Sequence, residues 1–539
     1  MVSTGLLRKR IDDDQVNAPI LLGYKRDIAL AVLCISLLMS SLDNTILNIA
    51  LPTLVRDLKA TNTQLEWIVD AYALVSAGLL IFAGSLGDRI GRKKLLISGL
   101  FIFILGSSGS AFSKSVGMLI FSRAVMGIGV AFIMPATLAI ITTLFRRQSE
   151  RALAIGIWSG TEGFGIALGP IAGGWLLSHF WWGSVFLINV PIGIIGIVGA
   201  AILIPESKAY LSSKQDIKGV LLSISGMSLL LWGIIEAPIG GWTSVSVLLP
   251  TLLGGLFLIG FILHERSSSK PMLDMEAFKN PRFTVAMASV ALIIFVLLGV
   301  LFLMTQYIQF SLGYSPLAAG IRILPVAAVL GISAPISIFI DKVIGTKVVV
   351  AAAMFLVAFG LFDLSRITIY GTYSNSLIGM VIIGVGAGLA FPPATESIMG
   401  SLSKDRTGVG AATNSAGLNL GGALGVAVIG SVLATRYQSI MTTLLSGHKI
   451  PSAALSAIKG SLGGALQVSN IVGGKTGLLL SEAARGAFIS GMDSGLKVGA
   501  FVALLSGVIA LMFLPARGKK PIENEGKSFD KRADDKKAA

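Results

Sequence analysis

Long apolar runs recur along this chain, and they restrict its fold more than any other feature. They fall near 28–50, 65–86, 95–113, 116–144, 152–178, 184–204, 217–236, 244–263, 283–310, 317–340, 347–365, 374–401, 408–434 and 494–514. Each is close to the roughly 20 residues a helix needs to cross about 30 Å of hydrocarbon. With 54% hydrophobic residues and 64 glycines, the chain is too apolar for a soluble enzyme of its size. Glycine suits membrane helices because it lets their backbones approach closely. The expectation is an all-α polytopic membrane protein with fourteen spans.

Charge fixes the orientation. Gly84 to Leu96, GSLGDRIGRKKLL, sets Asp88, Arg89, Arg92, Lys93 and Lys94 between two apolar runs. Cationic residues collect in short cytoplasmic loops. Lys and Arg crowd into 84–96, 145–151, 205–218, 264–282, 341–347 and 402–407, whereas the opposite short connections hold Arg56, Lys59, Lys114 and Arg366. Both termini are therefore expected in the cytoplasm, with the protein in the cytoplasmic membrane. The net charge of +15 is accounted for by these loops and the tails, so no nucleic-acid partner is implied.

Internal repetition sets the architecture. GIGVAFIMPAT from Gly127 matches GVGAGLAFPPAT from Gly384, and IDKVIGTK from Ile340 is a worn copy of LGDRIGRK. Spans 217–236 and 244–263 have no counterpart. The expected plan is two six-helix bundles, 28–204 and 283–514, joined by a linker over 205–282 that carries the two extra helices. Parallel six-helix repeats are how one class of secondary transporter builds a site between two rocking halves. Residues 1–27 form a polar cytoplasmic segment without the pattern of a cleaved signal peptide. Residues 515–539 read as a charged, disordered tail. The outward segment 435–493 has amphipathic stretches near 452–466 and 478–490, and is read as a tolerated insertion in preference to a lid.

Intramembrane acids are expensive unless paired or working. Asp43 lies about nine residues from the outer end of its helix, Asp70 about six and Arg123 about seven, so the three share a depth within roughly 5 Å. An Asp–Arg–Asp cluster facing the interior is expected. Glu162 sits about eleven residues into its run, roughly 16 Å deep and near the midplane. There it can carry a proton or balance a cationic substrate. Glu396, four residues past Pro392, is a second candidate of this kind. Glu236, Asp363 and Asp493 lie near outer ends and read as solvated, and Asp57 and Glu66 as members of the first outer loop. Gly165, Gly169 and Gly173 fall four apart on one helix face, with Pro170 removing a backbone donor, which suits close packing and a bend. Gly84, Gly87 and Gly91 permit the tight turn of the basic loop.

These residues carry a resemblance. Leu42 to Pro52, the loop Gly84 to Leu96, Arg123 with Gly127 and Gly129, and Gly165 to Gly174 are similar to the motifs of major facilitator superfamily transporters. The likeness is to the fourteen-span drug:proton antiporters, which include QacA-type quaternary-ammonium exporters. WIVDAY (67–72) and FLINVPIG (186–193) resemble that group too. The resemblance implies the major facilitator fold and assigns Asp43 and Arg123 to proton coupling, and Asp70 joins them by its shared depth. It makes the loop of Gly84, Gly87, Asp88, Arg89, Gly91 and Arg92 a gate on the cytoplasmic face. One departure is plain. Asn414 to Asn419 and Leu324 to Pro335 hold no acid, so Glu162 and Glu396, with aromatic residues, are left to recognise bulky monovalent cations.

The function expected is proton-coupled export of hydrophobic, mainly cationic compounds by a monomer. A transporter of one metabolite or siderophore on the same fold is the alternative. A non-transporting membrane protein is the third reading; no catalytic triad, metal cluster or soluble domain speaks for it. No enzyme activity and no cofactor are expected. His179, His264 and His448 have no metal-ligand spacing, Cys34 is the single cysteine, and no phosphate-binding G-x-x-x-x-G-K-[ST] loop appears.

Overall fold

The computed structural model describes residues 23–514, apart from 146, 209–215, 269–274, 276, 400 and 402–406. Of the expected N-terminal segment 1–27, residues 1–22 lie outside the described residues, as does the tail 515–539, and 23–27 form the first turn of the first helix. The first half of the chain comprises α1 (Gly23–Leu58), α2 (Asn62–Ile90), α3 (Arg92–Ala111), α4 (Val116–Leu144), α5 (Gln148–His179), the short α6 (Ser184–Leu187) and α7 (Asn189–Leu203). Then come α8 (Ile217–Gly240) and α9 (Val245–Ser267). The second half contains α10 (Pro281–Gln306), α11 (Pro316–Ile344), α12 (Thr346–Ser365), α13 (Tyr373–Met399), α14 (Thr407–Leu444), α15 (Ser452–Gly460), α16 (Leu462–Val472) and α17 (Gly474–Phe513). A π-helical turn, Tyr307–Ser311, extends α10. Among the described residues twelve helical stretches are long and apolar enough to span a membrane. Outside that set, α2 has 29 residues and α5 has 32.

Local chemistry sets the helix ends. Thr61 and Gln64 form a capping box that starts α2. Ser115 caps α4, and Ser315 followed by Pro316 starts α11. The two repeated loops share one geometry. A single glycine separates α2 from α3 at Gly91, φ 118°, and α11 from α12 at Gly345, φ 86°. Both positions sit where a side chain would be strained. Each glycine N–H closes the preceding helix, on Gly87 O at 3.0 Å and on Asp341 O at 2.9 Å.

The first half packs α1 against α5 and α2 against α4; the second packs α10 against α14 and α12 against α17. The halves meet through α2 on α14 and through α5 on α11; α8 lies against both α2 and α14, and α9 packs on α8. His264 Nε2, near the end of α9, sits 2.8 Å from Asp216 Oδ1, which caps α8 and closes that hairpin. Contacts between the halves gather on the face opposite the Gly84–Leu96 loop. There Gln309 donates to Ile49 O at 3.0 Å. A Cβ on Gly320 would meet the Pro170 carbonyl, and one on Gly174 would meet Pro316 O at 2.8 Å. Nearer the loop face, Ile157 and Phe164 of α5 and Ile332 and Phe339 of α11 are exposed.

The segment 435–493 corrects the reading of a tolerated insertion. α14 and α17 continue beyond their apolar runs, and α15 and α16 fold between them as a cap over the face opposite the loop. Tyr437, fully buried on α14, donates to Ile458 O at 2.8 Å, with Ser461 O at 3.2 Å. Ser469 donates to Gly477 O at 2.8 Å, and Gln467 donates to Arg56 O on α1 at 3.1 Å. Gly463 lies against Val55 of α1 and Phe310 of the π turn. Tyr437→Phe takes the hydroxyl donor from Ile458 O, while Ser461 O keeps the Ala465 N–H at 3.0 Å, and the change is expected to lower stability by about 1–3 kcal/mol. Thermal unfolding in detergent reads this, and an unchanged midpoint would mean that the cap is not held there.

Candidate functional site

Five helices converge on Asp43. Asp43 lies in the polar stretch Ser40–Asn48 of α1, with its side chain in the interior of the first half and without solvent exposure. Arg123 of α4, 1% exposed, forms a salt bridge from Nη1 to Asp43 Oδ2. Asn189, at the start of α7, donates to Asp43 Oδ1 at 2.9 Å and lies 3.0 Å from Ser107 Oγ of α3. Ser107 in turn donates to Phe186 O at 2.7 Å. Arg123 Nε donates to Ile68 O of α2 at 3.2 Å, and its guanidinium lies 4.3 Å from the centre of the Tyr72 ring. Both carboxylate oxygens and the cation are therefore held from several helices at once, as a buried ion pair requires.

The expected three-residue cluster is only partly formed. Asp43 and Arg123 meet, but Arg123 is occupied by Asp43 and Ile68. Asp70 is fully buried and neither of its carboxylate oxygens has a hydrogen-bond partner among the described residues. Depth along a helix follows from residue counts, whereas the direction a side chain takes about the helix axis does not. Asn189, Ser107 and Tyr72 were missed as site residues, although two of them lie in stretches that already looked distinctive.

The small-residue face of α5 supports this site directly. A Cβ on Gly165 would come within 2.8 Å of Ser41 Cβ and 3.3 Å of Leu42 N, and one on Gly169 would meet the Thr45 side chain. Gly173 packs on Ile46 in the same way. These glycines thus seat α1 on either side of Asp43. Pro170 is buried at the α11 contact described above.

The acids proposed to meet a substrate fare differently. Glu162 lies on α5, but its side chain is outside the described residues. Glu396 is exposed near the end of α13, where Ser397 beside it accepts from Arg282 Nε at 3.0 Å. The basic loop is tied down locally. Arg92 donates to Thr143 Oγ1 at 2.7 Å, and Lys93 N donates to Glu206 Oε1 at 3.1 Å. A Cβ on Gly91 would run into that Glu206 carboxylate. Gly87 lies against Leu95 and Gly84 faces Pro135. Arg89 is exposed, and the Asp88 side chain lies outside the described residues.

Glu66 also corrects the sequence reading. It is fully buried in α2, near Ser431 of α14, and is not a loop residue. Arg322 of α11, stacked 3.7 Å from the Tyr314 ring centre, is a further charge within a span that sequence reasoning passed over.

Comparison with known proteins fits this architecture. The chain is 34% identical over 489 residues to methyl viologen resistance protein SmvA of Salmonella typhimurium, covering 90% of this chain and 97% of that one. It is 32% identical to multidrug efflux pump LfrA of Mycolicibacterium smegmatis, with 89% and 95% covered. It is 29% identical to a tetracenomycin C resistance and export protein of Streptomyces glaucescens, covering 93% of each. Among solved structures, a bacterial homolog of the human lysosomal transporter Spinster, inward-facing and occupied, superposes with a TM-score of 0.65 at 17% identity, over 93% of this chain and 100% of that one. Residues 33–426 match the Major Facilitator Superfamily model, and with its two helical halves joined across α2–α14 and α5–α11, the chain belongs to that superfamily.

Proposed function

We propose that this protein is a proton-coupled multidrug exporter of hydrophobic, mainly cationic compounds, working as a monomer in the cytoplasmic membrane. The observation that carries the reading is the buried Asp43–Arg123 pair, held by Asn189 and Ile68 in a chain whose relatives are named for resistance and export. In this reading the twelve apolar helices, together with α2 and α5, make fourteen spans of the QacA-type plan, with both termini cytoplasmic. The Gly84–Leu96 loop then lies inside, the cap lies outside, and the exposed inner stretches of α5 and α11 belong to an inward-open state.

An outside proton reaches Asp43 once the drug has left outward, cancels its charge and frees Arg123 to re-pair as the halves rock. Return to the inward-open state delivers the proton to the cytoplasm. A membrane potential of about 100 mV adds roughly 2.3 kcal/mol for each net charge moved. Asp70 accompanies this pair, Glu162 balances the cargo's charge, and Glu396 serves at the inner end of the path. Gly84, Gly87, Asp88, Arg89, Gly91 and Arg92 time the inner gate.

Counterflow in proteoliposomes with ethidium, a neutral drug and a metabolite panel tests the substrate class. Exchange of ethidium is expected; exchange of one metabolite alone would replace this reading with that of a dedicated metabolite transporter. Glu162→Gln is expected to reduce ethidium transport by about tenfold or more while sparing the neutral drug, the factor carried by a single ionic contact. Equal losses for both compounds would remove Glu162 as the counter-charge.

A further inference from the structure

Glu66 sits where three parts of the molecule join: α2 of the first half, α14 of the second, and α8 of the extra pair. Its Oε2 lies 3.1 Å from Ser431 Oγ on α14, and the same hydroxyl lies 2.9 Å from the carbonyl oxygen of Ile234 on α8. A serine hydroxyl carries one hydrogen. A backbone carbonyl has none to offer, so the serine hydrogen is committed to Ile234. The remaining contact, between Glu66 Oε2 and Ser431 Oγ, then needs a hydrogen from the glutamic side: a carboxylic acid O–H donating to the serine oxygen.

The surroundings agree with a neutral acid. Among the described residues Glu66 Oε1 has no hydrogen-bond partner, and Asp70, one turn along the same helix, is of like sign. From α14 it is faced by Ser431 and by Gly430, whose added Cβ would come 2.7 Å from the carboxyl carbon. From α8 it is faced by the Ile234 carbonyl; Glu236, two residues on, is half-buried. Arg436 of α14 is turned to Ser490 of α17, and Arg123 of α4 is engaged by Asp43. The Trp67 and Trp232 rings meet edge-on at 5.7 Å beside the junction. An ionised carboxylate there would be left without a cation among the described residues, which apolar surroundings do not tolerate.

We propose that Glu66 is a second proton-binding group of the transport cycle, a carboxyl whose protonated form fastens α2 to α14 at the cap face and whose ionised form releases that seam. This rests on the reading of the chain as a proton-coupled exporter, in which the cap face is outside. An outside proton binding Glu66 then closes the outer gate behind the departing drug. In that role Glu66 sets which face is open, while Asp43 acts within the first half. Ser431 is a positioning residue: it presents the acceptor and anchors α8 to the same point.

Spin labels at Lys114 and Tyr370, exposed turn residues of the two halves at the cap face, test this in a Cys34→Ser background. Pulsed electron resonance reads the distance between them without drug or gradient. In the otherwise unaltered protein the long-distance population is expected to grow as the buffer moves from mildly acidic to mildly alkaline. Glu66→Gln keeps an N–H donor for Ser431 and is expected to hold the short distance throughout, with the open population about tenfold lower in alkaline buffer. Ser431→Ala, which removes the acceptor, is expected to open at more acidic pH than the parent. A Glu66→Gln protein that opens along the parent's pH profile would overturn the proposal, as would a parent distance that pH does not move. The coupling itself is read separately, from drug efflux by the unlabelled parent under an imposed pH gradient. Efflux indifferent to that gradient, with the distance changes intact, would remove the coupled exporter and leave the Glu66 latch standing.

Discussion

Asp43→Asn is expected to abolish drug efflux driven by a pH gradient, a loss of at least about a hundredfold, since a group that exchanges a proton has been replaced by one that does not. The same change leaves Arg123 buried without its counter-ion, and breaking such a pair costs about 3–5 kcal/mol. Loss of transport alone would therefore not separate chemistry from stability. The double variant Asp43→Leu with Arg123→Met removes both charges together and is expected to recover folding, read by thermal unfolding, without recovering efflux. A single Asp43→Asn protein that pumps at the parental rate in proteoliposomes would sink the assignment of Asp43 to coupling.

Gly165→Val is expected to have the next largest effect. The added methyl groups meet the backbone of α1 at Leu42 as well as the Ser41 side chain, and a helix backbone cannot step aside as a flexible side chain does. Overpacking of this kind costs about 1–3 kcal/mol. The displaced α1 would carry Asp43 away from Arg123 and Asn189, so efflux is expected to fall by about tenfold or more. Gly160→Ala, on the same helix with nothing within 4 Å of the added Cβ, is the matching control and is expected to leave both stability and transport unchanged. Equal damage from the two substitutions would show that α5 tolerates the loss of neither glycine, whatever its fit against α1.

Much of the fold was legible because hydrocarbon thickness fixes the length of an apolar run and loop charge marks its ends. The same criterion fails where a helix leaves the membrane. α14 continues past Arg436 and Gln438, and α17 begins well before Asp493 with Lys475, Glu482 and Arg485, so polar extensions were read as loop. Glu66 was misplaced for a related reason. Thr61, Asn62 and Thr63 look like turn chemistry, yet Thr61 with Gln64 is a capping box, and that spacing starts the helix early enough to carry Glu66 inside. At the candidate site, Asp43 and Arg123 stood out because charge within an apolar run is costly. Asn189 and Ser107 did not, since no spacing rule ties polar residues on separate helices, and only the packed bundle brings them to one carboxylate. Asp70 shows the converse: equal depth did not bring it onto Arg123.

The cap of α15 and α16 has unequal attachments. It is joined to the second half through the chain itself, through buried Tyr437 and through Ser469 on Gly477. To the first half it is joined through an exposed hydrogen bond from Gln467 to Arg56 O and the close approaches of Gly463 to Val55 and of Gly460 to Thr61. When the two halves separate at that face, the weaker set yields, and the cap travels with the second half. In the proposed exporter it would act as a shutter hinged on one jamb: the exit would widen along the α1 side, and a large cargo would leave past Val55 and Arg56 instead of through the middle of the bundle.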